Sequence, residues 1–190
     1  SSSGCSYISI IVIKHCVDVI APLYASLINF FVAKGDIPDE LKCAIVTPLF
    51  KNKGDFNSPD NYRGISVLSL FTKILERLLE RQIIRYFNVN NMLCPVQHGF
   101  RANHSCETAM HNILDNWKSN LDKNKYVIAL FIDFKKAFDL VDHEILLRKL
   151  FHYGFDDKSL DLVRNYFSCR TQMTKIDKTL SSTKALLIGV

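Results

Sequence analysis

The stretch KNKYVIALFIDFKKAFDLVDHEIL, Lys123 to Leu146, decides how the chain is expected to fold. Between the polar KNK and Asp133 lie seven apolar residues, Tyr126 to Ile132, with no helical period and too few for an ordinary helix. That is the pattern of a strand buried on both faces. Asp133 then stands at the strand's C-terminal edge, where mixed α/β folds present ligand groups because the strand is rigid and its edge opens into a crevice. A carboxylate buried there is costly unless it is paired or binds a cation, and its hard oxygens suit Mg²⁺. The residues alone leave Asp133 open between metal ligand and ordinary polar strand end. Asp139 and Asp142 precede a helical pattern and read as turn or N-cap residues. Phe138, five residues past Asp133, either borders something bound there or fills the core.

Upstream, apolar residues at helical spacing (Val17, Ile20, Tyr24, Leu27, Ile28, Phe31) predict a helix from about Lys14 to Ala33, kinked at Pro22 and stopped by Gly35. CAIVTPLF, Cys43 to Phe50, predicts a strand feeding the basic loop KNKGDFNSPDNYRG. From Ser66 to Phe87 one wide apolar face predicts a helix, with Arg77, Arg81 and Arg85 recurring every four residues on another side. Ser105 predicts the N-cap of a second helix that buries Ala109, Met110, Ile113, Leu114, Trp117 and Leu121. Downstream, EILLRKLFHYG predicts a helix closed by Gly154, and SLDLVRNYF another. TQMTKID and STKALLIGV predict a C-terminal hairpin, and ending on so apolar a strand points to a truncated domain.

Composition narrows the function classes. With 48% hydrophobic and 23% charged residues the chain is globular rather than disordered. Nine basic and four acidic residues fall between Lys42 and Arg101, so the whole net charge of +5 sits in that segment, a modest hint of a polyanionic partner. Six dispersed cysteines, without a C-x-x-C pair, suggest neither a zinc site nor a disulfide framework and read as reduced, mostly buried thiols. The early apolar stretches are broken by Lys14, His15 and Asp18, so no membrane span is expected. No signal peptide is apparent, and an intracellular setting is the default.

Four segments in order, and LLIGV near the end of the sequence, carry a resemblance. FIDFKKAFD resembles the first palm motif of the reverse transcriptases of non-LTR (LINE-like, Jockey-type) retrotransposons, and VTPLFKNKGD with NYRGISVLS resembles their fingers motifs. FTKILERLLERQI resembles the helix that follows, QHGFRANHSCETAM resembles a further motif, and LLIGV resembles the opening of a GVPQGS motif. The resemblance implies an α+β fold of right-hand polymerase type: fingers and a partial palm, helix-rich, with a small, mostly antiparallel sheet begun by Tyr126 to Asp133 and the C-terminal hairpin. It implies residues 1–13 as a disordered or atypical N-terminus, 14–125 as fingers-like and 126–190 as partial palm. The implied activity is RNA-directed DNA polymerisation, with an RNA template, a DNA primer, dNTPs and two Mg²⁺ ions about 4 Å apart. Asp133 matches the catalytic aspartate that bridges both ions, with the Phe134 carbonyl as an extra ligand. Phe138 matches the aromatic gate under the nucleotide sugar, and Lys51 and Arg63 match the cations that hold the triphosphate, Lys53 being a rival for the first. Arg101 and the Arg77, Arg81, Arg85 helix would lie near the template. By the same resemblance the protein would be nuclear.

Two departures matter. Gly64 stands where the family commonly has proline, and the aromatic-x-Asp-Asp hairpin that completes the metal site is missing, since YGFDD has the wrong spacing and reads as a helix-leading loop. The chain alone is therefore expected to be inactive, needing the remainder of the palm and the thumb. A competing expectation is a non-catalytic nucleic-acid-binding or partner-binding remnant that uses the basic segment. The weakest is a metal-dependent phosphoesterase built from Asp133, Asp139, Asp142 and His143.

Overall fold

Residues 10–189 are described by a computed structural model, so most of the segment expected to be atypical, 1–13, lies outside the described residues, and Ile10 to Ile13 are helical. After α1 (Ile10–His15) comes α2 (Val17–Lys34), which continues through Pro22 and ends at Gly35. Gly35 adopts φ 68° and turns its N–H onto the Phe31 and Val32 carbonyls, a left-handed closure that glycine makes at no steric cost. Strand β1 (Cys43–Phe50) follows, then β2 (Tyr62–Leu68), paired antiparallel from Ala44 opposite Leu68 to Phe50 opposite Tyr62. The predicted helix start at Ser66 is therefore four residues early: Ser66 to Leu68 belong to β2, and α3 spans Leu70–Val89. Ser69, whose hydroxyl accepts from the Thr72 N–H at 3.1 Å, marks where the helix begins.

Helix α4 (Cys106–Leu121) starts at the predicted N-cap, where Ser105 and Thr108 exchange side-chain and backbone hydrogen bonds in a capping box. Helices α5 (His143–His152) and α6 (Asp157–Phe167) follow, capped by the Asp142 and Asp156 carboxylates, which accept from Ile145 and Ser159 N–H at 2.9 Å each. These bonds give Asp142 the predicted cap role and make Asp156–Asp157 a helix start. The chain ends with β3 (Thr171–Ile176), β4 (Thr179–Leu180) and β5 (Lys184–Ala185). The sheet order is β2-β1-β3-β4; β1 and β3 run parallel, every other pair is antiparallel, and β5 also pairs with β3. The fold is α+β with a small, mostly antiparallel sheet, as expected.

Three expectations are corrected. Tyr126 to Ile132 is not a buried strand and does not begin the sheet: it has no strand assignment, and Tyr126 is 98% and Ile128 94% exposed. A strand exists through its hydrogen-bonded neighbours, and the C-terminal strands pair with β1 instead. Helix α4 forms but does not bury its apolar face, since Met110, Leu114 and Leu121 are all exposed. Capping is local chemistry, whereas burial needs a neighbour. Among the described residues, Cys16, Cys94, Cys106 and Cys169 are exposed free thiols and Cys43 is half-buried, so the cysteines are not mostly buried.

The chain divides into two compact units, one from residues 10–80 and 136–189 and one from 81–135. The core of the first gathers Tyr24 and Ile28 of α2, Ile37, Leu75 of α3 and Leu162 of α6. Helix α2 is long and apolar enough by length and composition alone to cross a bilayer, a test that core helices also pass, and its Tyr24 and Ile28 lie in this core. Polar groups fasten the same junction. Thr72 Oγ1 donates to the Leu41 carbonyl at 2.8 Å, the Ile37 N–H donates to Asn165 Oδ1 at 2.8 Å, and Arg170 lies 4.7 Å over the Tyr166 ring. Tyr24 donates to the Phe71 carbonyl and Tyr166 to Glu76.

Burial pushes both phenols, Tyr24 and Tyr166, up to about 12. The unfolded chain loses these protons near pH 10 while the folded protein keeps them, so the native state binds more protons and stability falls as pH rises. The expected stability change from this source is flat below about pH 10, then a loss of roughly 1.4 kcal/mol per pH unit for each tyrosine up to about 12. Urea unfolding between pH 9 and 12 checks this, because Tyr24→Phe with Tyr166→Phe should flatten the slope; an unchanged slope contradicts the assignment.

Candidate nucleotide and metal site

The β1–β2 hairpin positions two of the expected residues. Arg63 pairs with Leu49 in the register, and Lys51 lies two residues beyond Leu49, its N–H still donating to the Asn61 carbonyl at 2.8 Å. By strand alternation Leu49, Lys51 and Arg63 share one face, and the diagonal relation puts the Cβ atoms of Lys51 and Arg63 roughly 7–8 Å apart. The eleven residues between β1 and β2 thus bring both cations to the hairpin's open end. The loop is closely built. Phe50, Phe56 and Tyr62 form a ring cluster with centroids 5.2–5.8 Å apart, Tyr62 donates its hydroxyl to the Phe56 carbonyl, and Gly54 at φ 82° lies where a Cβ would meet Asn61 at 2.6 Å. Gly64 pairs with Pro48 in the ladder, and a Cβ on it would press on Val46 Cγ1 at 2.9 Å.

Electrostatics at this end centre on Asp60, a residue the sequence reading missed. Lys51 Nζ donates to its carbonyl at 2.7 Å, and Lys136 Nζ pairs with its carboxylate at 3.3 Å. Lys136 comes from the turn after Asp133 and adds a third cation beside Lys51 and Arg63 within the first unit. A Lys–Lys pair three residues past a candidate ligand was the available signal, but nothing in the sequence pointed to Asp60, 76 residues away. Lys53, the rival of Lys51, is exposed and holds no such bond.

Phe138, 61% exposed, lies in the turn of residues 135–140 in the first unit. Asp133 and Phe134 belong to the second unit, where both are exposed on irregular backbone. Asp133 is therefore not a desolvated carboxylate, and its oxygens are open to solvent. One carboxylate and one carbonyl supply only part of an octahedral shell, and among the described residues no group of three His, Cys, Asp or Glu side chains converges to complete it. Mg²⁺ commonly binds with one or two carboxylates and takes the rest of its shell from water and phosphate oxygens, so Asp133 with Phe134 fits such an ion as a partial ligand set.

The remaining expected residues are spread. On α3, Arg77 pairs with Glu80 at 2.8 Å on the surface, while Arg81 and Arg85 are exposed at the same four-residue spacing. Arg101 turns its guanidinium onto the Cys94 and Gln97 carbonyls at 3.0 and 3.4 Å, which shapes its own loop. His143 donates Nε2 to the Gly189 carbonyl at 2.7 Å and stacks on Phe167 at 4.7 Å, and Gly189 N–H donates to Val141 at 2.9 Å. At φ 86° Gly189 has no room for a Cβ, which would lie 2.8 Å from the Asp139 carbonyl oxygen. With Asp142 capping α5 and His143 committed to Gly189, the phosphoesterase constellation loses two of its four groups.

Comparison with known proteins agrees with the four motifs. The family described as reverse transcriptase (RNA-dependent DNA polymerase) matches residues 50–187. The chain is 30% identical over 177 residues to a Drosophila melanogaster protein named "Probable RNA-directed DNA polymerase from transposon BS", covering 90% of this chain and 19% of that protein. It is 27% identical over 166 residues to the RNA-directed DNA polymerase from mobile element jockey of the same species, covering 87% of this chain and 18% of the other. The chain thus spans about a fifth of the length of the curated relatives it matches.

Proposed function

The chain belongs to the reverse transcriptase (RNA-dependent DNA polymerase) family, and from that premise we propose that it supplies the nucleotide-binding fingers and the first palm ligand of an RNA-directed DNA polymerase. The observation that carries this reading is the common face of Lys51 and Arg63 on the hairpin, with Lys136 drawn in through Asp60. Three cations at one end suit a triphosphate, with the Arg63 fork able to hold two oxygens at once and the lysines acting as point charges. Phe138 borders the sugar, where an aromatic ring leaves no room for a 2′-hydroxyl and selects dNTP over rNTP. Asp133 and the Phe134 carbonyl would hold Mg²⁺, which when bound supplies charge that neutralises phosphate oxygens. The partners are an RNA template and a DNA primer, approached by Arg81, Arg85 and Arg77 through backbone phosphates without sequence readout, with Arg101 shaping the adjoining loop.

Titrating the 190-residue chain with a fluorescent dNTP in Mg²⁺ tests this. Arg63→Ala is expected to weaken binding at least about tenfold, the loss of a charge-assisted bidentate contact, while Lys53→Ala stays within about twofold. Equal effects of the two would remove the hairpin from the nucleotide site. The exposed arginine stripe on α3 favours a second reading, a non-catalytic nucleic-acid-binding module. Primer–template binding that is salt-sensitive, indifferent to Arg63→Ala and lost when Arg77, Arg81 and Arg85 are all changed to Ala would select it.

A further inference from the structure

Gly189 is buried, and the segment between Asp139 and His143 engages both of its backbone groups. Its N–H donates to the Val141 carbonyl at 2.9 Å, and its carbonyl accepts from His143 Nε2 at 2.7 Å. A carbonyl only accepts, so Nε2 carries a proton in the neutral and the charged ring alike, and the bond fixes the neutral tautomer. The imidazole is itself held, stacked on Phe167 at the end of α6 with centroids 4.7 Å and planes 24° apart. Gly189 also closes on the start of this segment: at φ 86° a Cβ on it would lie 2.8 Å from the Asp139 carbonyl oxygen, so only hydrogen fits there. All of these residues belong to the first unit.

Asp139 directly follows Phe138, and the turn of residues 135–140 is exposed throughout, Phe138 and Leu140 at 61% each. Side-chain burial therefore does little to place this turn, and the contacts to Gly189 hold its C-terminal end. A ring that rejects a hydroxyl by lack of room depends on such support, because a displacement beyond about 0.5 Å opens the gap. Resting on the reading of Phe138 as the sugar gate, we propose that His143 is a positioning residue for sugar selection. Its bond to Gly189 locks the segment Asp139 to Val141, and through it the Phe138 ring, so the preference for dNTP over rNTP depends on a histidine whose donor is spent on the backbone. Helix α5 gives the clamp a rigid base. His143 is its first residue, and Asp142 caps it by accepting from the Ile145 N–H at 2.9 Å, which leaves the two neighbours with separate tasks.

Affinities of the 190-residue chain for a fluorescent dNTP and for its rNTP counterpart, measured in Mg²⁺, give the ratio that tests this. His143→Phe keeps a ring to stack on Phe167 and loses the donor. It is expected to lower the preference for dNTP at least about fivefold through tighter rNTP binding, with dNTP affinity within about threefold. His143→Gln keeps an N–H donor, and its preference should stay within about twofold of the original. Gly189→Ala pushes on the turn through the Asp139 carbonyl and should lower the preference as His143→Phe does; it carries the same test should His143→Phe unfold. A histidine that only stabilised the fold would shift the urea midpoint and weaken both nucleotides alike with the ratio intact. That result overturns the inference, as does a ratio lost equally in His143→Gln. Phe138→Ala separates the gate from its support. An unchanged ratio there removes the sugar-gate reading and this inference with it, whereas a ratio that falls in Phe138→Ala but holds in His143→Phe and Gly189→Ala removes the inference alone.

Discussion

Asp133→Ala, placed in a chimera in which residues 50–187 replace the matching residues of a polymerase relative, is expected to lower Mg²⁺-dependent extension of a primed RNA template at least about a thousandfold, ~4 kcal/mol of barrier. The structure makes the experiment clean. Asp133 is exposed and holds no hydrogen bond among the described residues, so its removal disturbs no packing and uncovers no buried partner. Primer–template affinity should stay within about threefold if, as proposed, the phosphate contacts lie on arginines elsewhere. Asp142→Asn provides the contrast. Asparagine keeps the acceptor that caps α5, and extension should stay within about threefold if Asp142 is a cap and nothing more. Equal losses from the two changes would mean that the acids of this segment act together, and full activity of Asp133→Ala would end the metal-ligand role.

How much of this was legible depends on the range over which each feature is determined. Caps were readable because they are settled within four residues: Ser105 with Thr108, Asp142 with Ile145 and Asp156 with Ser159 each exchange bonds inside one helical turn. The β1 run was readable too, since its β-branched residues are bounded by turn formers. The run Tyr126 to Ile132 carries the same local signal more strongly and yet forms no strand. Composition says that a segment can pair; only a neighbour makes it pair, and the edge of β1 went to β3, with Cys43 opposite Thr171, 128 residues on. The same distance hid the site's third cation. Lys51 and Arg63 were visible through a motif, but Lys136 reaches them through Asp60, a contact that no periodicity encodes. Electrostatic partners of this kind are set by tertiary geometry, and a charge pattern shows only that a pair could exist.

Leu75→Ala tests whether the first unit is held together where the structure places its core. Leu75 is 0% exposed, on α3, among Tyr24 and Ile28 of α2, Ile37 and Leu162 of α6. Truncation removes three carbons from water-excluded packing and leaves a cavity, and the cost depends on how far the walls can close over it. Here they are pinned: Tyr24 is tied to the Phe71 carbonyl, Tyr166 of α6 to Glu76 and Thr72 to the Leu41 carbonyl, all within a turn of Leu75 on α3 or bonded to it from that turn. The expected loss is therefore at the upper end for this substitution, about 3–5 kcal/mol, against a total of roughly 5–15 kcal/mol for a domain. Leu23→Ala, on the same α2 but 64% exposed, should cost less than about 1 kcal/mol. Paired urea titrations separate the two directly. Similar losses would mean that α2 and α3 are not packed in this way. A large loss at Leu75 alone would establish that the hairpin cations stand on a unit fastened by residues from both ends of the chain, because Leu162 and Tyr166 come from the C-terminal third and Tyr24 and Ile28 from the N-terminal one. The proposed nucleotide-binding face would then weaken with the core: in Leu75→Ala, dNTP binding should fade at a urea concentration where Leu23→Ala still binds.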